Sequence, residues 1–172
     1  CFITKSSEVK RENIVVQELN ESDVINSNEE DLNKSFNDFL FYLKLYVDLD
    51  NEIFRIYSHS DESLGLNNPK NWLAEENTIA SFFAAISSFA IDGKREERIK
   101  QALLKLINKL QNTDSGLDPL GLQEFAKVKS GISPKKYNVG VETRKIILNG
   151  FKEYFREEGD LSFVECWRQG SN

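Results

Sequence analysis

Apolar residues recur at steps of three and four along most of the chain, and this spacing constrains the fold more than any other feature. Because an α-helix has about 3.6 residues per turn, such steps place apolar side chains on one helical face. No stretch shows the sustained alternation of apolar and polar residues that is typical of a strand. The chain contains twelve Phe but only three Pro and nine Gly. The sequence therefore predicts an all-α single domain, a bundle of four to five main helices with short extra helices.

The first predicted helix covers 29–58 and is expected to be central in the bundle. Acidic Glu29, Glu30 and Asp31 fall in its first turn, where the helix dipole favours negative charge. Leu45 and Tyr46 widen its apolar face. The face that we expect to be buried consists of Leu32, Phe36, Phe39, Leu40, Leu43, Val47, Phe54 and Tyr57.

Further helical segments follow, separated by linkers that contain Gly, Pro or Asp. Asn68 and Pro69 are typical of an N-cap and a first helical position. In the last long segment, apolar residues alternate at steps of four and three, which predicts a heptad face packed on another helix. Arg144 is the one polar member of this heptad face. The predicted segments cover 69–91, 94–111, 119–128, 134–158 and 161–167.

Residues 1–28 are predicted to be a flexible tether, and residues 29–172 a binding domain. A Cys followed by a polar stretch is what a bacterial lipoprotein shows once its signal peptide has been removed. Cys1 is therefore the candidate lipidation site, and lipidation would anchor the domain to a membrane. A boundary that leaves Cys1 first by accident is the alternative. If Cys1 is acylated, Cys166 has no partner in the chain, and we expect a buried, inert thiol there. If Cys1 is free, a bridge to Cys166 remains open.

Catalytic and metal-binding motifs are weak throughout. The one His, His59, lies beside Ser58 and Ser60. A hydrolase would need His59 as the base for a Ser, with a carboxylate such as Asp61 behind it, but this spacing is ordinary loop composition. His, Cys and carboxylate ligands do not cluster as a metal site requires. The expectation is a protein that is not an enzyme and carries no cofactor or metal.

Charge and loop composition favour protein binding. The net charge is −6, which makes nucleic acid a poor partner. Residues 93–145 nevertheless hold twelve Lys and Arg against six Asp and Glu. In the loop 112–121, apolar residues lie among charges, as in many protein interfaces. The candidate partner-binding residues are Lys105, Lys109, Thr113, Asp114, Leu117, Asp118, Leu120, Lys127, Lys129, Lys135 and Lys136.

Two alternatives to this surface remain open. Leu117 and Leu120 would pack into the core, or the lysines would be no more than solvated helix faces. A different protein-binding surface is the heptad face or the pair Phe163 and Trp167. These patterns do not specify an oligomeric state.

The N-terminal Cys, the polar tail rich in Asn, Lys, Glu and Ile, and the helix style of 101–110 resemble the surface lipoproteins of borrelial spirochaetes. The chain is similar to the factor H-binding lipoproteins of relapsing-fever species. The resemblance implies an outward-facing lipoprotein of the bacterial outer membrane surface that captures host complement factor H, often with plasminogen, for immune evasion. The alternatives are a periplasmic or structural lipoprotein that binds another bacterial protein, and a secreted helical cytokine.

Overall fold

Six α-helices make up most of the part of the chain that the structure describes. In this computed structural model, the described residues are 29–58, 66, 68–89, 93–132 and 139–170. No strand occurs in these ranges, so the predicted all-α fold is confirmed. The helices are α1 (Glu29–Tyr57), α2 (Glu76–Phe89), α3 (Gly93–Gln111), α4 (Leu122–Ser130), α5 (Val139–Arg156) and α6 (Phe163–Gly170), with a 3₁₀ turn at Pro69–Asn71.

Several predicted features fall outside the described residues. They are Cys1 and the tether 1–28, His59 and Asp61, and Lys135 and Lys136. The segment that starts at Asn68 and Pro69 begins as a 3₁₀ turn, and its α-helix starts only at Glu76. None of the described helices combines the length and the apolar character that crossing a bilayer would require.

Helix α5 lies at the centre of the bundle and packs against α2, α3 and α6. Four members of the predicted heptad face are buried, namely Arg144, Leu148, Phe151 and Phe155. The Phe151 ring lies edge-on to Phe82 of α2, with 5.2 Å between the ring centroids. Aromatic pairs at such spacings add to the burial of apolar area. The core is therefore an aromatic cluster organised around one helix.

The short helix α6 closes this core. Ser162 and Glu165 form a capping box at its start, in which the Ser162 N–H donates to the Glu165 carboxylate (3.1 Å) and the Glu165 N–H to Ser162 Oγ (3.3 Å). Trp167 is fully buried, and its indole N–H donates to the Leu120 carbonyl (2.7 Å). Helix α6 thus fixes the end of the loop that precedes α4.

Cys166, on the same helix, is fully buried. Burial is the main reason why the pKa of its thiol rises to about 12. The predicted burial of Cys166 is confirmed, and we expect low reactivity because a neutral thiol out of contact with water is a poor nucleophile.

The prediction for the buried face of α1 was wrong for most of the residues named, although Leu45 and Tyr46, which were expected to widen that face, are buried. Of the eight residues expected to be inside, Tyr57 alone is buried; Leu32 is partly covered, and the others are exposed by at least 36%. The helix carries two adjacent apolar stripes, and it packs mainly against α3 and the 3₁₀ turn on the other one. The residues that face the core are Tyr42, Leu45, Tyr46, Leu49, Ile53, Ile56 and Tyr57.

Candidate partner-binding site

The loop 112–121 connects α3 to α4 and is held against the end of α1. The Gly116 N–H donates to the Ile56 carbonyl (3.2 Å). The Arg55 guanidinium donates to the carbonyls of Thr113 (3.1 Å) and Leu110 (2.7 Å). These bonds satisfy backbone groups that the end of α3 and the turn would otherwise leave open. The first half of the loop therefore has a fixed position relative to two helices.

Asp118 fixes the second half of the loop. Its carboxylate accepts hydrogen bonds from the Tyr57 hydroxyl (2.5 Å) and from the N–H groups of Leu122 (2.8 Å) and Gln123 (3.0 Å). The last two belong to the first turn of α4, where a carboxylate stabilises the helix. Burial raises the pKa of Tyr57, and the bond to Asp118 adds to this effect. Asp118 is thus committed to positioning the loop, which is a different role from the predicted partner contact.

Leu117 and Leu120 have opposite environments. Leu120 is buried at 2% exposure, and its N–H donates to the Tyr57 hydroxyl oxygen (3.2 Å). We therefore correct its assignment as a partner contact, because it cannot reach a partner without opening the core. Leu117 is 55% exposed. It follows Gly116, whose φ of +87° lies in a region that other residues rarely adopt. The loop therefore presents one apolar side chain to solvent.

The four predicted lysines that the structure describes lie on two helices, Lys105 and Lys109 on α3 and Lys127 and Lys129 on α4. Lys105 pairs with Asp160 (2.8 Å), and Lys127 approaches Glu124 (3.6 Å). Lys109 is exposed and Lys129 is partly exposed, and neither has an ion pair within the described ranges. In the described part of the chain, helices α3 and α4 have no extensive contact with each other. Two separate basic groups result, and only the one on α3 leads directly into the loop.

The residues that remain as a candidate binding site are Lys109, Asp114 and Leu117, which we call the loop site. Asp114 is exposed. The Thr113 hydroxyl donates to the Lys109 carbonyl (2.7 Å), so this side chain closes the last turn of α3. The loop site therefore combines one exposed leucine with a positive and a negative charge on a hydrogen-bonded turn.

The two other protein-binding surfaces predicted from the sequence lie largely in the core of the described bundle. Phe163 and Trp167 are buried in the core, and so are Phe151 and Phe155 of the heptad face. Ser58 follows the last residue of α1, and its hydroxyl donates to the Phe54 carbonyl of that helix. Among the described residues, no group of three or more His, Cys, Asp or Glu could hold a metal ion.

Sequence reasoning missed an exposed apolar surface on α1. It consists of Phe36, Leu40, Leu43, Val47 and Phe54, which we call the α1 stripe. The sequence places these residues on one helical face, but that face was predicted to be buried. Contiguous exposed apolar surface of this kind is characteristic of interaction sites.

Comparison with known proteins identifies no relative. No protein family matches the chain, and neither does any curated protein or solved structure. The fold and the two surfaces define a helical bundle with exposed apolar residues on the loop and on α1.

Proposed function

We propose that this chain is a non-enzymatic binding protein that captures a host serum protein at the bacterial surface through the loop site. The observation that carries the proposal is the exposure of Leu117 on a loop that Arg55 and Asp118 hold in place. A leucine that is half exposed costs free energy in water and regains it when a partner covers it.

The rigidity of the loop supports a binding role. Ordering a mobile loop opposes association, so a loop that is already fixed loses less conformational entropy on binding. The hydrogen bonds from Arg55, Gly116 and Tyr57 all hold the loop without involving Leu117 or Asp114. The side chains of Leu117 and Asp114 can therefore contact a partner without breaking the hydrogen bonds that hold the loop.

The charges beside Leu117 support a protein as the ligand. Lys109 and Asp114 have opposite signs and are both exposed. Such pairs contribute to orientation and association rate more than to affinity. The class of ligand comes from the resemblance to the borrelial lipoproteins, which points to complement factor H, often with plasminogen. A lipid anchor at Cys1 would place the domain on the outer membrane surface.

The test measures binding of purified factor H, and recovery of proteins from host serum, on immobilised lipid-free chain. We expect Leu117→Ser combined with Lys109→Glu to weaken binding by about tenfold or more, as the loss of a central contact does. The matched control is Leu104→Ser, since Leu104 is 43% exposed on α3 outside the loop. Circular dichroism of each variant checks that the bundle remains folded.

Two results would contradict the proposal. Equal retention of the serum protein by the loop double variant and by the parent chain would exclude the loop site. Retention of no serum protein by the parent chain would exclude the function itself.

A further inference from the structure

The proposed function does not use the α1 stripe. Its members are exposed by 36% (Leu43) to 59% (Phe36). Together they present on the order of 500 Å² of apolar surface, which is near the upper limit for a monomeric protein. None of these side chains contributes to the loop site. An exposed patch of this size often marks a site that a partner covers.

The spacing of the stripe identifies the kind of occupant. Successive members are separated by four, three, four and seven residues, which is a heptad repeat. This repeat is the pattern by which one helix packs along another at a shallow angle. Helix α1 has 29 residues and is about 43 Å long, and the stripe covers about 27 Å of that length. The occupant that fits is another long helix.

We infer that the occupant is α1 of a second copy of this chain, packed antiparallel to the first. Two polar residues interrupt the seam, Asn33 near its start and Asp50 near its end. In parallel pairing, each Asp50 would face the Asp50 of the second copy, and like charges in a seam repel. Antiparallel pairing avoids this contact.

One antiparallel register pairs the apolar centre of the seam and its two polar residues, and it leaves Phe54 at each end opposite Glu29 of the second copy. It places Leu40 opposite Leu43 of the second copy, Phe36 opposite Val47, and Asn33 opposite Asp50. The Asn33 amide then donates to the Asp50 carboxylate. A shift of one heptad in either direction instead sets Asp50 against Leu40, or Asn33 against Leu43. Polar residues in a seam select the register in this way.

The area is consistent with a dimer. A stable interface buries about 800 Å² on each partner. The stripe supplies the apolar centre of such a patch, and the polar residues along its outer edge, Asn37, Lys44 and Asn51, supply a rim. The rim brings no pair of like charges together in the proposed register, where Lys44 lies near Asn37 of the second copy.

Sedimentation velocity of the full chain without lipid, from micromolar to submillimolar concentration, tests the dimer. We expect a dimer for the parent chain and for the control Leu104→Lys, and at least about tenfold weaker association for Leu43→Lys. Both leucines are exposed, so neither substitution should unfold the bundle. A parent chain that remains a monomer overturns the inference, and so does a Leu43→Lys variant that dimerises normally. A monomer that floats with phosphatidylglycerol vesicles would assign the stripe to a membrane surface instead.

Disulfide trapping tests the register. In a Cys1→Ser background, chains with Asn33→Cys are mixed with chains with Asp50→Cys and oxidised with glutathione. We expect a disulfide-linked dimer in the mixture and little in either variant alone. Efficient linkage of each variant to itself would mean parallel pairing, and absence of linkage in the mixture would exclude the register.

Discussion

Replacing Gly150 with Ala should lower the thermal stability of the chain, although alanine is the better helix former. Gly150 lies in the middle of α5, where the Trp167 ring packs directly on the helix backbone. A Cβ atom at this position would lie 2.1 Å from Cζ3 and 2.2 Å from Cε3 of Trp167. These distances are far inside van der Waals contact, so either the helix or the ring must move.

The Trp167 ring has little room to move. It is fully buried, and its N–H donates to the Leu120 carbonyl (2.7 Å). Its neighbours include Trp72 and Phe125, at centroid distances of 5.8 and 5.4 Å. Overpacking a rigid core costs about 1–3 kcal/mol, and the short contacts put Gly150→Ala at the upper end of that range. The higher helix propensity of Ala relative to Gly offsets about 1 kcal/mol of this cost. The net loss is about 2 kcal/mol, or about 4–8 °C in Tm for a chain of this size.

Calorimetry or circular dichroism melts of three variants measure this effect. The control on the same helix is Gly140→Ala, because a Cβ at Gly140 meets nothing within 4 Å. Gly140→Ala should leave Tm unchanged or raise it. In a Trp167→Leu background, which is itself destabilised, the additional cost of Gly150→Ala should largely disappear, giving a coupling energy in a double-mutant cycle. A higher Tm for Gly150→Ala than for the parent chain would refute the reasoning.

Three further predictions follow from buried groups. Arg144→Met should leave Tm unchanged or raise it, because Nε and Nη2 of this buried guanidinium have no hydrogen-bond partner among the described residues. A fall in Tm of more than about 5 °C would contradict this prediction. In a Cys1→Ser background, Cys166 should react with a thiol reagent at pH 8 only after unfolding, and rapid reaction of the native chain would be inconsistent with its burial. The free energy of unfolding should fall as pH rises above about 10. Burial raises the pKa of the tyrosine hydroxyls in the folded chain, whereas the same hydroxyls titrate near 10 when the chain is unfolded. Absorbance at 295 nm, which reports ionised tyrosine, should therefore increase together with unfolding. The tyrosines concerned are Tyr42, Tyr46, Tyr57 and Tyr154.

Where a helix carries a single apolar stripe, its sequence predicts both its limits and its orientation. Helix α3 was expected at 94–111 and runs from Gly93 to Gln111. Its inward residues were also correct, because no second apolar face competes with them. The residues expected inside and found buried are Ile99, Leu103, Leu106, Ile107 and Leu110.

Helix α1 shows why the same reasoning fails for a broader apolar face. Its true core face includes three tyrosines, whose hydroxyls would be costly to bury without partners. Two of the partners lie far away in the sequence: Tyr46 donates to the Leu73 carbonyl, and Tyr57 to Asp118. The periodicity of α1 cannot show these contacts, and a stripe of Phe, Leu and Val looks more apolar than one that contains tyrosines. Tertiary contacts therefore decide which of the two stripes faces the core.

The loop site was predictable only in part for the same reason. Leu117 and Leu120 are three residues apart in a loop without helical periodicity, so the sequence gives no reason to expect one of them to be buried and the other exposed. The two leucines differ in exposure because of Tyr57. Its hydroxyl oxygen accepts a hydrogen bond from the Leu120 N–H, and its hydroxyl donates a hydrogen bond to Asp118. These bonds join residues 61 and 63 positions apart, and they turn Leu120 inward.

If the loop site and the antiparallel dimer both hold, their geometry predicts bivalent capture. Arg55 fixes each loop to the C-terminal end of its own α1, so the antiparallel register places the two loops at opposite ends of the paired helices. At 1.5 Å per residue, the two Arg55 positions are about 40 Å apart along the seam. On a surface coated with the serum protein, both loops of one dimer can engage, and avidity exceeds the affinity of a single site.

The Leu43→Lys variant separates these two contributions. It should bind the serum protein in solution with the affinity of the parent site, because Leu43 is remote from Leu117 in the chain and is not part of the loop site. On a densely coated surface, it should dissociate at least about tenfold faster than the parent chain, because each monomer has one loop. Equal dissociation of the two proteins from dense and sparse surfaces would mean that the dimer does not present both loops to one surface.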